Sequence, residues 1–95
     1  MPANRKYFVN LKRDDYDRVR QQLTSKRWSL PSGDSGYLRG PGGFIADWGY
    51  DESAKTLAMR IREPGDGQSY ATVFGYIGSV VSLVSSKAQM QDSAT

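Results

Sequence analysis

Asp14, Asp15 and Asp17 are close enough in sequence to share a hard cation, and two carboxylates are the minimum for paired acid and base roles. They lack the longer ligand run ending in Glu that a calcium loop requires, so capping and solvating a helix start is their expected role. Asp47, Asp51 and Glu52 flank a turn and could meet Arg60 or Arg62 in a pocket, although surface pairing is the ordinary fate of such groups. Ser32-Gly33-Asp34-Ser35-Gly36 sets hydroxyls beside an acid, but no spacing specifies a base that would activate a serine. Gly40-Pro41-Gly42-Gly43 lacks the Lys-Ser or Lys-Thr ending of a phosphate loop, leaving a conformational or partner-contacting role.

What is missing excludes more chemistry than what is present suggests. The 95 residues contain no His and no Cys. Serine-histidine triads, thiolate nucleophiles, disulfides and Cys- or His-ligated metals are therefore impossible for this chain. The expectation is no metal, no cofactor and no catalytic residue; a small enzyme working through clustered carboxylates and arginines is the remaining catalytic alternative.

Thirteen Lys and Arg against ten Asp and Glu give a net charge of +3, and this average hides an asymmetry. Residues 1–27 carry Arg5, Lys6, Lys12, Arg13, Arg18, Arg20, Lys26 and Arg27 against three acids, while the remainder is slightly acidic. If Arg5, Lys6, Arg13, Arg18, Arg20, Lys26 and Arg27 formed one surface, they could meet phosphates while Trp28 or Tyr37 stacked on a base. That pattern is nonspecific, and Trp28 is as readily explained as a core residue.

These residues need elements to position them. Lys6–Leu11 reads as a first strand with Tyr7, Val9 and Leu11 on one side. Asp14–Thr24 reads as a helix with Asp14 or Asp15 as its cap and Tyr16, Val19 and Leu23 as its apolar stripe. Lys26–Leu30 and Tyr37–Arg39 suggest a hairpin across the Ser32–Gly36 turn. Phe44, Ala46, Trp48 and Tyr50 alternate with Ile45, Asp47 and Gly49, and Leu57, Met59 and Ile61 alternate with Ala58, Arg60 and Arg62, giving two further strands. After Pro64–Gly67 the period changes: Tyr70, Val73, Phe74, Ile77, Val80, Val81 and Val84 form a helical stripe capped by Ser69. Two strands broken at Gly75 and Gly78 are the alternative for this segment, whereas in a helix those glycines would allow close packing.

The expected fold class is α+β: an antiparallel sheet of about three to five strands, packed on one face by an N-terminal and a C-terminal helix. Residues 1–86 are expected to form one domain, with a core from Tyr16, Val19, Leu23, Trp28 and Leu30 through the strand and helix stripes, and 87–95 a flexible polar tail. No apolar run reaches membrane-spanning length, and the basic Met1–Lys6 start is followed by further charge, so a cytoplasmic protein is expected. The functional expectation is a noncatalytic protein-interaction or regulatory module whose partner is another protein or a second copy of itself, with Tyr37, Arg39, Phe44, Arg60 and Arg62 as contact residues. Nucleic-acid binding through the basic third is the alternative.

Overall fold

The computed structural model describes residues 4–92. Along the chain run β1 (Arg5–Val9), α1 (Arg13–Ser25), β2 (Ser35–Gly40), β3 (Phe44–Asp51), β4 (Thr56–Glu63), α2 (Tyr70–Val84) and β5 (Gln89–Gln91). The strands form a single antiparallel sheet in the order β2-β3-β4-β1-β5. Both helices supply buried side chains, Tyr16, Val19 and Leu23 from α1 and Val73, Phe74, Ile77, Val80 and Val81 from α2, to one core shared with the strands. Among the described residues, no helix is long and apolar enough to cross a membrane.

The alternation in β3 and β4 holds residue for residue. Phe44, Ala46, Trp48, Tyr50, Leu57, Met59 and Ile61 are buried, while Asp47, Gly49 and Ala58 on the other side are half-buried and Arg62 is exposed. Residues 70–84 form one helix, with the Ser69 hydroxyl accepting from the Thr72 N–H at 3.1 Å. Gly75 and Gly78 do not serve close packing: a Cβ at Gly75 would meet nothing within 4 Å, and one at Gly78 would only touch Phe8 at 4.0 Å.

Several local expectations change. In β1 the inward residue is Phe8, opposite Leu57, while Tyr7 lies opposite Ala58 on the other side. Asn10 takes a left-handed conformation at φ 59, which resets the alternation and turns Leu11 into the core. Helix α1 starts one residue early, so its N-cap is Lys12 with no side-chain cap, and Asp14 and Asp15 fall in the first turn. The hairpin expected from Lys26–Leu30 shrinks to a single Ser29–Arg39 bridge, since β2 pairs instead with β3 across a turn where Gly42 and Gly43 have φ of 83 and 86. Leu30 is half-buried, whereas Phe8, Leu11 and Leu38 join the core. Finally, Gln89–Gln91 is a strand on β1 where a flexible tail was expected from Lys87. Backbone pairing with an open strand edge requires no apolar periodicity, and Ala88 packs against the core just ahead of it.

An aromatic node joins α1 to the sheet. The Tyr16 ring stacks on Tyr50 at 3.9 Å, and its buried hydroxyl accepts from Trp48 Nε1 at 2.9 Å. Replacing Tyr16 by Phe keeps the ring but strands the Trp48 donor; unfolding in urea should show a loss of about 1–3 kcal/mol, whereas an unchanged midpoint would mean that the hydrogen bond contributes nothing.

Candidate functional site

Directly opposed residues of antiparallel strands point to the same side, so the register defines the uncovered face of the sheet. One row crosses four strands as Tyr37, Asp47, Arg60 and Arg5. The next row runs Ser35, Gly49, Ala58, Tyr7 and Gln91. Arg39 projects from β2 on this side, opposite Ile45, and Arg62 lies two residues beyond Arg60 on β4.

Asp47 organises the first row. Its carboxylate accepts from Arg60 Nε at 2.9 Å and from Arg62 Nε at 3.1 Å, and the Arg62 guanidinium lies 5.0 Å above the Tyr37 ring. Partial burial pushes the Asp47 carboxyl upward, but the Arg60 and Arg62 hydrogen bonds outweigh it and hold the group below its ordinary range. Tyr37 is 58% exposed, the ring most accessible among the aromatics of the described residues. Arg5 and Arg39 make no ion pair among the described residues and are free to meet an anionic group.

The second row makes a floor. Two shallow depressions, of about 330 and 370 Å³, share Tyr7, Gly49 and Ala58, so they form one trough along β4 from Arg60 toward Thr56. Gly49 sits in the middle of an eight-residue strand with both neighbours paired, the place where a glycine is least favourable. Its backbone needs no positive φ, and a Cβ there would meet no atom within 4 Å. Among the described residues, nothing explains the absence of a side chain at this position.

The structure brings together only some of the residues expected to act. Tyr37, Arg39, Arg60, Arg62 and Arg5 share the open face. Phe44 does not: it is buried against Trp28 with ring centroids 5.3 Å apart, because its strand side faces the helices. The amino-terminal bases form no single patch. Arg13 is tied to Asp34 at 2.7 Å and to Glu52, Arg20 donates to the Pro31 carbonyl at 2.7 Å, Lys6 pairs with Asp92, and Arg18 pairs with Asp15. Lys26 and Arg27 follow α1 just ahead of Ser29, which bridges to β2, three strands across the sheet from Arg5 on β1. The acids also stay apart: Asp51 accepts from Ser53 and Ala54 within its own turn, Glu52 serves Arg13, and no group of three or more potential metal ligands occurs among the described residues. Ser32–Gly36 leads into β2, with Asp34 held by Arg13 rather than by a serine.

No family model, curated protein or solved structure matches this chain. Two residues of this face carry no functional signal in the sequence: alternation alone places Tyr7 on the side of Val9 and Leu11, whereas Gly49 stands as the one residue without a side chain in an otherwise well-formed alternation.

The carboxylates give a pH signature. A hydrogen bond from Arg13 holds Asp34 below the usual carboxylate range, and hydrogen bonds from the Ser53 hydroxyl and the Ala54 N–H do the same for Asp51. A carboxyl lowered in the fold adds stability above its unfolded value and loses it as pH falls through the folded value. The stability gap between the wild type and Asp34→Asn should therefore close as pH drops below about 4, in urea titrations at successive pH values. A gap of constant size would refute the Arg13–Asp34 assignment.

Proposed function

We propose that this protein is a noncatalytic binding module that docks a protein partner on the open face of its sheet. The observation that carries the proposal is Gly49, a mid-strand glycine with empty space above it and, among the described residues, no contact or positive φ that calls for a glycine. Glycine in a strand interior is expected where another backbone approaches closely, and the trough over Gly49 and Ala58 gives such a backbone its path. The rim suits a protein: its cations are all arginines and its aromatics are tyrosines, residue types enriched at protein interfaces where lysine is depleted. The matching partner segment lies flat over the trough, offers acidic groups to Arg5 and Arg39, and packs an apolar side chain against Tyr37.

Asp47 favours this reading over nucleic acid. A phosphate backbone drawn across Arg5, Arg60 and Arg62 would run beside the Asp47 carboxylate, while the two guanidinia it needs are already engaged by that acid. A protein partner carries both signs and can match both. The dispersal of the amino-terminal bases onto Asp34, Glu52, Asp15, Asp92 and backbone carbonyls points the same way.

A photo-crosslinking side chain placed at position 37, compared with one at Gln22 on the exposed side of α1, tests the proposal in cells that express the protein. The expected result is a discrete protein adduct from position 37, absent from position 22 and reduced about tenfold by Arg5→Glu with Arg39→Glu. An adduct of twice the chain mass would identify a second copy as the occupant of the same face. Equal labelling from both positions, or an adduct that nuclease removes, would overturn the proposal.

A further inference from the structure

An open cleft of about 620 Å³ lies away from the open face, at the end of the sheet where α1 begins. Its rim carries Lys12, Lys55 and Lys87, from three separate parts of the chain. Backbone bonds bring them together. The Leu11 N–H donates to the Lys55 carbonyl at 2.9 Å, which ties the β3–β4 turn to the residue before Lys12. The pairing of Val9 with Gln89 then sets Lys87, two residues ahead of Gln89, at the same end of β1.

Three exposed lysines lining one cleft gather positive charge that an anion can meet. None of the three has a carboxylate partner among the described residues, whereas Lys6, Arg13, Arg18, Arg60 and Arg62 all do. The one acid in the lining, Asp15, is already engaged by Arg18 at 3.6 Å. With the Asp15 charge offset by Arg18, the three lysines leave an excess of positive charge that a phosphate monoester, carrying up to two negative charges near neutral pH, can meet. The donors are point-charge ammonium groups rather than guanidinium forks, a set suited to a compact oxyanion, with Asn10 and Ser86 adding neutral polar groups to the wall. The volume exceeds what a phosphate alone would fill and lies within the range of small-molecule sites of roughly 300–1,000 Å³.

We propose that Lys12, Lys55 and Lys87 form a binding site for a phosphate monoester, distinct from the protein-docking face. The test is an amide chemical-shift titration of the intact protein with glycerol phosphate and with O-phosphoserine, each against sodium chloride at matched ionic strength. The expected result is saturable shifts at Asn10, Lys12, Lys55, Ser86 and Lys87, with affinity reduced about tenfold by Lys55→Gln or Lys87→Gln and unchanged by Lys26→Gln. Tighter binding of glycerol phosphate would indicate a small-molecule ester, and tighter binding of O-phosphoserine a phosphorylated protein segment; both support the site. Non-saturating shifts, shifts of equal size at Lys26 and Arg27, or unchanged affinity in folded Lys55→Gln and Lys87→Gln proteins would overturn it.

Discussion

The arrangement of this molecule depends on one buried hydroxyl. Tyr16 is fully enclosed, yet its oxygen accepts from Trp48 Nε1 at 2.9 Å and from Arg20 at 3.3 Å while its ring stacks on Tyr50. Tyr50 in turn donates to the Leu11 carbonyl at 2.6 Å, and burial raises its phenol above the ordinary range. The Arg13 guanidinium lies 5.1 Å from the Tyr50 ring centre and reaches Asp34 and Glu52, whose hydrogen bonds raise its own pKa further. Helix α1, strand β3, the segment before β2 and the β3–β4 turn therefore meet at a single aromatic and polar node. A polar atom buried this deeply must be satisfied, which fixes the position of α1 on the sheet more narrowly than apolar packing alone would.

Fixing α1 there, beside α2, assigns every helix contact to one face of the sheet and leaves the other to side chains that pair with each other. The open face is consequently built of ions and small residues: Asp47 gathers Arg60 and Arg62, Arg62 covers Tyr37, and Gly49 with Ala58 keeps the centre low. Two arginines are committed to an acid, and two have no ion-pair partner among the described residues, so the uncommitted charge lies at the margins of the face. The proposed protein partner would meet both signs there, and the proposed phosphate site at the sheet's end would use lysines instead, in keeping with the different chemistry of the two cations.

Much of this was legible in the chain, and the failures have physical causes. The alternation of β3 and β4 could be read because each strand has one side in the core, so the period of two is enforced by burial. The α2 stripe could be read for the same reason at the helical period. Beta 1 misled because Asn10 resets the phase by its backbone conformation, which no hydrophobic pattern records. Strand β5 carried no signal because its stability comes from backbone pairing to β1. Phe44 read equally as core or contact residue until the register set its side. The amino-terminal bases are spread over separate partners, those of Arg13 lying 21 and 39 residues away, while Arg5 and Lys12 make no ion pair among the described residues. Conversely, nothing in sequence links Lys12, Lys55 and Lys87, which come to one end of the sheet through the Leu11–Lys55 bond and the β1–β5 register.

If Gly49 serves the partner proposed for the open face, the fold itself gains nothing from the glycine, and unfolding of Gly49→Thr tests this directly. A threonine suits a mid-strand position, and its Cβ would meet nothing within 4 Å. The account predicts a urea midpoint shifted upward, corresponding to a gain of about 0.5–1 kcal/mol. A loss of stability would show that the chain itself needs the glycine, and would contradict the account.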